Sequence, residues 1–505
     1  MMIMVSRRAI LGALLMTGAV PGALLANPRP KARPAEVATA LPRAPSPADA
    51  PAPLSVDELI ARANLDAAIS FAVLDAGSGA LLHSRDADLP IAPASTLKSI
   101  TALYALSKLG PDHRFSTRVI RAGDMLVLAG GGDPELDSDG LAKLAKAAAE
   151  AEKAAGRPLP KRFAVWGGAL PKVAEIAPGQ AVHLPYNPTI SGMILNFNRV
   201  HLGWRRGEKG YDLALEARGG RQSPRAYTVS VAVADRARPL FSYEAGTDSG
   251  VGAEKWVIAR QSMGKSGSRW LPVRRPELYA GDVFQTLCRA AGLALPAPEV
   301  ITDLPQGETI ATRDSAPLYA ILKGMMEYSN NLTAEVVGLA ASGKGDLAAS
   351  AAEMSAWLRA QGIVGDYVFY DHSGLSPATR ITAGMMVQTL AGPGQAQKLR
   401  GLMKNIALRD AKGKPLAHSP ITVEAKTGTL NFVSNLAGYA EDSQGHAIIF
   451  AILTGDETRR AANEGKELPD GVSLWTRKSK ALQQGLIENW LMSQPDAALA
   501  SQTAP

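Results

Sequence analysis

Apolar and polar positions divide the chain into elements of two periods. Residues 69–75 (Ile-Ser-Phe-Ala-Val-Leu-Asp) read as a strand, Ala76-Gly77-Ser78-Gly79 as a turn, and 80–84 as the returning strand. Past a Pro-bounded loop (Pro90 to Pro93), Leu97, Ile100, Leu103, Tyr104 and Leu106 recur at helical spacing. A helix is therefore expected over 95–109, stopped by Gly110-Pro111. The pattern resumes in the last third, with helices expected at 316–326 and 332–341 around a break at 327–331. Strands are expected at 421–426, 432–440 and 447–454, and a closing helix at 472–491. Between these ends lie strand candidates at 125–128, 162–166 and 226–233 and Gly-rich loops such as Gly130-Gly131-Gly132. The simplest arrangement is a sheet flanked by helices, built from both ends of the sequence around a β-rich insertion.

Length and composition add boundaries. At 505 residues the chain has room for two or three cores. The stretch 27–53 is mostly Pro, Ala and charge, cannot pack, and reads as a linker. The expected division is an export signal at 1–26 and the linker at 27–53. One domain follows at 54–113 and 309–492, with inserted domain(s) at 114–308 and a polar, disordered tail at 493–505. Ser6-Arg7-Arg8 before an apolar stretch points to export to the periplasm by the twin-arginine route. Leu24-Leu25-Ala26 is a poor cleavage site, so a retained signal and a loose membrane association stay open, although the apolar run is shorter than the ~20 residues of a comfortable span. The net charge of +7 is mild, and no Lys/Arg run is interleaved with aromatics; nucleic acid is not an expected partner. The single Cys288 forbids an internal disulfide. The seven histidines show no ligand spacing, so no metal and no cofactor are expected.

Three strings carry chemistry: Ser95-Thr96-Leu97-Lys98, Ser329-Asn330-Asn331 and Lys426-Thr427-Gly428-Thr429. In this order they mark serine acyl-transferring enzymes. A serine hydroxyl needs a base, and a lysine can be that base only where burial or a second cation lowers its pKa. Lys98 is one helical turn from Ser95, and Lys426 is the candidate second cation. Ser329 would relay a proton to the leaving amine, and Asn331 would hold Lys98 or a substrate amide. Lys426, Thr427 and Thr429 suit a terminal carboxylate. Gly428 would let a substrate backbone lie against the strand as an added strand. The backbone N–H groups of Ser95 and Thr429 are the expected oxyanion donors. A second Ser-x-x-Lys, Ser262 to Lys265, lies in a polar Gly-rich segment with no helix after it and reads as a surface loop. No G-x-S-x-G precedes a helix, which disfavours a Ser-His-Asp hydrolase.

With these motifs placed, the chain resembles the low-molecular-mass class C penicillin-binding proteins, the penicillin-binding protein 4 type of D-alanyl-D-alanine carboxypeptidase/endopeptidase, over about 54–491. The long gap between the first two motifs matches that family's insertion. Further matching strings are Ala129-Gly-Gly-Gly-Asp-Pro-Glu-Leu136, Leu184-Pro-Tyr-Asn187, Asn196-Phe-Asn-Arg-Val200, Asn330-Asn-Leu-Thr-Ala-Glu335 and Asp371-His-Ser-Gly-Leu-Ser376. The resemblance implies an α/β (α+β) fold: a penicillin-binding protein/β-lactamase-like transpeptidase domain, an antiparallel sheet flanked by helices. It implies Ser95 as acylated nucleophile, Lys98 as its base, and Ser329, Asn331 and Lys426 as the proton network, with Thr427 and Thr429 facing the substrate carboxylate. It also implies peptidoglycan stem peptides as substrate and β-lactams as inhibitors. Two departures fall where the family grips a meso-diaminopimelate side chain. His372 and Pro377 replace Gly and Arg, and Val182-His183 replaces acidic residues before Leu-Pro-Tyr. Arg380 is the expected substitute for the missing Arg. A β-lactamase on a related scaffold and a non-catalytic wall-binding protein are the rival readings.

Overall fold

The computed structural model describes residues 54–246, 252–410 and 412–492. The expected signal (1–26), linker (27–53) and tail (493–505) lie outside them.

In chain order, helix α1 (Val56–Ala63) precedes the hairpin β1 (Ala68–Asp75) and β2 (Leu81–Arg85) and helix α2 (Leu97–Leu109). The inserted stretch holds β3 (Ser116–Ala122), β4 (Met125–Ala129), α3 (Ser138–Ala154), β5 (Arg162–Trp166), β6 (Arg199–Gly207), β7 (Gly210–Glu216), β8 (Val229–Ala234), β9 (Phe241–Ala245), β10 (Glu254–Ala259), β11 (Ser266–Pro272), α4 (Pro276–Ala290), β12 (Pro298–Ile301) and β13 (Glu308–Asp314). The chain returns with α5 (Leu318–Tyr328), α6 (Asn331–Ser342), α7 (Leu347–Ala360) and α8 (Ala383–Thr389). It ends with β14 (Lys404–Asn405), β15 (Ile421–Leu430), β16 (Val433–Asp442), β17 (Ala447–Gly455), α9 (Glu457–Ala462) and α10 (Val472–Met492).

The two ends meet in one antiparallel sheet of order β14-β15-β16-β17-β1-β2, in which Ala72 of β1 pairs with Ala451 of β17. The central strands are largely apolar because both faces are covered, with Ser70, Ser434, Asn435 and Thr454 as buried polar residues within them. Phe71, Val73, Phe450 and Ile452 pack on Leu486, Ile487 and Trp490 of α10. Ala72, Ile449, Ala451 and Leu453 face the opposite layer with Leu97, Ile100, Leu103 and Tyr104 of α2. Helix α2 is buried from Leu97 through Ala105 without interruption, so it is the central helix and not a surface one. The insertion builds a mixed sheet β12-β5-β4-β3-β13 and two three-stranded sheets, β8-β10-β9 and β11-β6-β7, around a core of its own. No helix among the described residues is long and apolar enough to cross a membrane.

Two details differ from the sequence reading. Strand β15 does not stop at the third motif but carries Lys426 to Thr429 within it, because these residues continue the pairing with β16. The segment around Ser262 and Lys265 is exposed but is not a loop throughout. Ser266 onward forms β11, held by backbone pairing to β6, which needs no hydrophobic signal in its outer residues.

Candidate active site

The turn before α2 is built by its neighbours. Ala94 has φ 48°, and a short 3-10 turn (Ala94–Thr96) precedes the α-helix, so Ser95 sits on the turn and not in the first α-helical turn. Three contacts hold it there. The Thr96 hydroxyl donates to the Pro93 carbonyl at 2.7 Å. The Asn435 amide on β16 donates to the carbonyls of Ala92 and Pro93 at 2.8 and 2.9 Å. Gly428 on β15 lies against the same turn. A Cβ there would meet the Pro93 carbonyl oxygen at 2.6 Å and Thr96 Cγ2 at 3.2 Å. This corrects the reason given for Gly428: the space its missing side chain leaves is filled by the turn that carries Ser95, not by substrate.

Lys98 points back toward Ser95, as a residue one helical turn on must. Its Nζ lies 2.9 Å from Ser95 Oγ, 2.8 Å from Asn331 Oδ1 and 2.9 Å from the Ser373 carbonyl oxygen, and the side chain is fully buried. Burial brings its pKa down from the lysine range to about 8, against the opposing pull of Glu335 and Asp371. Two of its three partners are carbonyl oxygens, which only accept. A neutral amine gives them its two hydrogens and has its lone pair left for the Ser95 hydroxyl.

Ser329 closes α5 in the left-handed region (φ 56°), Asn330 caps α6 with its side chain on the Thr333 N–H, and Asn331 opens α6. The break between helices thus turns Ser329 and Asn331 into the cleft and spends only the middle residue on capping. Lys426 Nζ donates to Ser329 Oγ at 2.9 Å and to the Thr427 carbonyl at 2.9 Å. Its pKa is held well below the ordinary lysine range, first by burial and then by the charges of Lys98 and Lys404. The expected repulsion between the two lysines is thus expressed on Lys426; on Lys98 burial is the leading cause. Strand β14 pairs with β15 only at Glu424 and Ala425, which leaves β15 without a described strand partner on that side from Lys426 onward.

These groups line one side of an open cleft of about 760 Å³, with Ser95, Ser329, Asn331, Ser373, Thr429, Pro377 and Arg380 in its wall. Thr427 is half-buried and is not in that wall; its carbonyl, not its hydroxyl, meets Lys426. Arg380 donates to the carbonyls of Pro377 and Thr379 and lies 3.6 Å from Glu457 of α9. His372 takes no part in the cleft. It is fully buried, with Nε2 2.7 Å from Ser350 Oγ and its ring stacked on Tyr104, and burial holds its pKa down at about 3. Room for the ring exists because Gly338 of α6 has no Cβ to meet it. His183 stacks on Phe241 and reaches Glu467 at 3.1 Å.

Sequence reasoning gave no role to three groups that complete the site. The Ser373 carbonyl is the third partner of Lys98. Glu335 and Asp371, both fully buried, hold the loop that presents it. Glu335 accepts the N–H groups of His372 and Ser373 at 2.8 and 2.9 Å. Asp371 accepts those of Leu375 and Ser376 and the Thr379 hydroxyl. The only signal was that both residues stand inside the family-like strings.

A profile of the D-Ala-D-Ala carboxypeptidase 3 (S13) family matches residues 53–479. The chain is 26% identical over 472 residues to the D-alanyl-D-alanine carboxypeptidase of Actinomadura sp. (strain R39), covering 83% of this chain and 86% of that one. It is 25% identical over 427 residues to a carboxypeptidase of Mycobacterium tuberculosis, covering 80% and 79%. The crystal structure of penicillin-binding protein 4 from Haemophilus influenzae has the same fold, with a TM-score of 0.66 at 19% identity over 87% of this chain and 99% of that one. This chain therefore belongs to the D-Ala-D-Ala carboxypeptidase 3 (S13) family and is a serine-type DD-carboxypeptidase.

Proposed function

We propose that the enzyme removes the terminal D-alanine of peptidoglycan stem peptides, or cuts the cross-linked amide, through an acyl-enzyme on Ser95. The observation that carries this is the setting of Lys98: a fully buried amine between Ser95 Oγ and two carbonyl oxygens. In acylation the Ser95 proton passes to the Lys98 lone pair as Oγ bonds to the carbonyl carbon of the scissile amide. The backbone N–H groups of Ser95 and Thr429 receive the developing oxyanion. The carbon–nitrogen bond then breaks, and the leaving amine takes, through the Ser329 hydroxyl that Lys426 supports, the proton Lys98 received, which returns Lys98 to its neutral form. Water repeats the attack on the ester, and Ser95 regains its proton. The unpaired edge of β15 receives the peptide as an added strand, with Thr429 and Lys426 toward its carboxylate.

β-Lactams acylate the same serine; the Haemophilus protein has been crystallised with one. The enzyme works outside the cytoplasm, delivered by the twin-arginine route that Arg7 and Arg8 suggest. A cross-linked amine fits the same chemistry as free D-Ala, so endopeptidase cleavage is included. The test is mass analysis of purified muropeptides. Pentapeptide monomers should lose one D-Ala, and dimers should be cut to monomers. Untouched monomers alongside rapid turnover of penicillin would instead mark a β-lactamase.

A further inference from the structure

Two buried carboxylates flank the loop over 371–376, and neither belongs to the acyl-transfer chemistry derived above. Asp371 has local work, since it takes two N–H groups and the hydroxyls of Ser373 and Thr379 from its own segment. Glu335 does not. It stands on α6, four residues after Asn331 and so one turn on along the same face, and it reaches across to a separate segment. Both its oxygens are used, one on the His372 N–H and one on the Ser373 N–H. Two consecutive N–H groups held by one carboxylate fix the orientation of the peptide plane between them. The next carbonyl, that of Ser373, then meets Lys98 Nζ at 2.9 Å. The loop has no slack on its other side: a Cβ on Gly374 (φ 78°) would collide with the Ala94 carbonyl oxygen in the nucleophile's turn.

We propose that Glu335 is a positioning residue for acylation: it aims the Ser373 carbonyl at the Lys98 amine and so directs that amine's lone pair at Ser95. Without this acceptor the neutral amine would have one fixed partner, Asn331, and could rotate its lone pair away from the hydroxyl. Glu335 also acts through its charge. The groups facing Lys98 are Ser95 from its own turn, Asn331 and Glu335 from α6, the Ser373 carbonyl and Asp371 from the loop, and Lys426 from β15. Glu335 itself faces Asp371, Lys98 and the backbone of the uncharged His372. Burial and Asp371 push its carboxyl up to about 8, so it ionises over the same range as Lys98, and its negative charge, where present, favours the protonated form of Lys98. Removing that charge therefore makes Lys98 easier to deprotonate.

The inference rests on the Ser95–Lys98 reading, and one assay separates the two. The second-order rate of acylation by a fluorescent penicillin is measured from pH 5.5 to 9.5 (about the range over which Lys98 changes charge) on the full chain. Wild type, Glu335→Gln, Glu335→Asp and Ser95→Ala are compared, with the final adduct per molecule counting intact sites. Glu335→Gln should lower the plateau rate by about 10–100-fold and move the acidic limb to lower pH, with full final adduct. Glu335→Asp keeps the charge but is one methylene short. It should lose rate with its limb near the wild-type position, and it carries the test if the Gln variant does not fold. A plateau unchanged in the Asp variant, or a Gln variant whose limb coincides with wild type, overturns the role given to Glu335. Adduct persisting in Ser95→Ala overturns the underlying reading instead.

Discussion

The chain contains the same tetrapeptide pattern twice, and the two copies end in opposite environments. Ser95 and Lys98 lie where a 3-10 turn enters a helix buried without interruption from Leu97 through Ala105, and the lysine has no solvent exposure. Ser262 closes a partly exposed 3-10 turn of the insertion, its hydroxyl donating to the Ala259 carbonyl, and Lys265 is exposed. Spacing is equal, so spacing is not what makes a base. A lysine in water stays protonated near neutral pH. Lys98 is brought to about 8 because burial disfavours its charge, and its lone pair is aimed because both competing partners are carbonyl oxygens.

That contrast can be broken most strongly at the lysines. Lys98→Met should slow acylation by penicillin about 10²–10⁴-fold, whereas Lys265→Met should label at the wild-type rate; stopped-flow or gel labelling reads both. The next effect is that of pH. Because the neutral amine is the base, the rate should rise with pH and level off above about 8. At pH 6 it should be about one-hundredth of the plateau, two units below the pKa. Smaller still is a pair of glycine substitutions. Gly428→Ala puts a Cβ 2.6 Å from the Pro93 carbonyl and should cost about 1–3 kcal/mol in a denaturation experiment as well as slowing acylation. Gly264→Ala has nothing nearer than 4.0 Å and should change neither. The smallest effect belongs to Arg380, which is partly exposed and already shares itself among Pro377, Thr379 and Glu457. Arg380→Ala should lower kcat/KM on diaminopimelyl peptides about two- to five-fold and leave penicillin acylation alone. An unchanged kcat/KM removes Arg380 from substrate recognition.

The same contrast explains what was legible in the sequence. Hydrophobic periodicity placed β1, α2, β17 and α10 because each buries a regular stripe or a continuous apolar run. Ser95, Lys98, Ser329, Asn331 and Lys426, which the fold brings together, could be singled out because side-chain chemistry in a distinctive order is visible in a sequence. The Ser373 carbonyl could not, since every residue has one and only tertiary contact selects it. Glu335 was hidden for a related reason: its partners are backbone N–H groups on a distant loop, and backbone has no sequence signature. His372 was placed beside the substrate on the strength of its neighbours in the string. The gap left by Gly338 on α6 turns its ring into the core instead, a fact that depends on two segments packing together. Gly428 was read from the substrate side when the pressure on it comes from the turn behind. The edges of the insertion were the least readable, as in the outer residues of β11, where backbone pairing holds exposed polar residues in a strand.

The most direct measurement is to incubate the wild-type chain, Ser95→Ala and Ser262→Ala with penicillin and map the adduct by peptide mass spectrometry. One adduct per molecule is expected, on Ser95, retained in Ser262→Ala and absent from Ser95→Ala. An adduct on any other residue, or one that survives the loss of Ser95, would contradict Ser95 as the nucleophile.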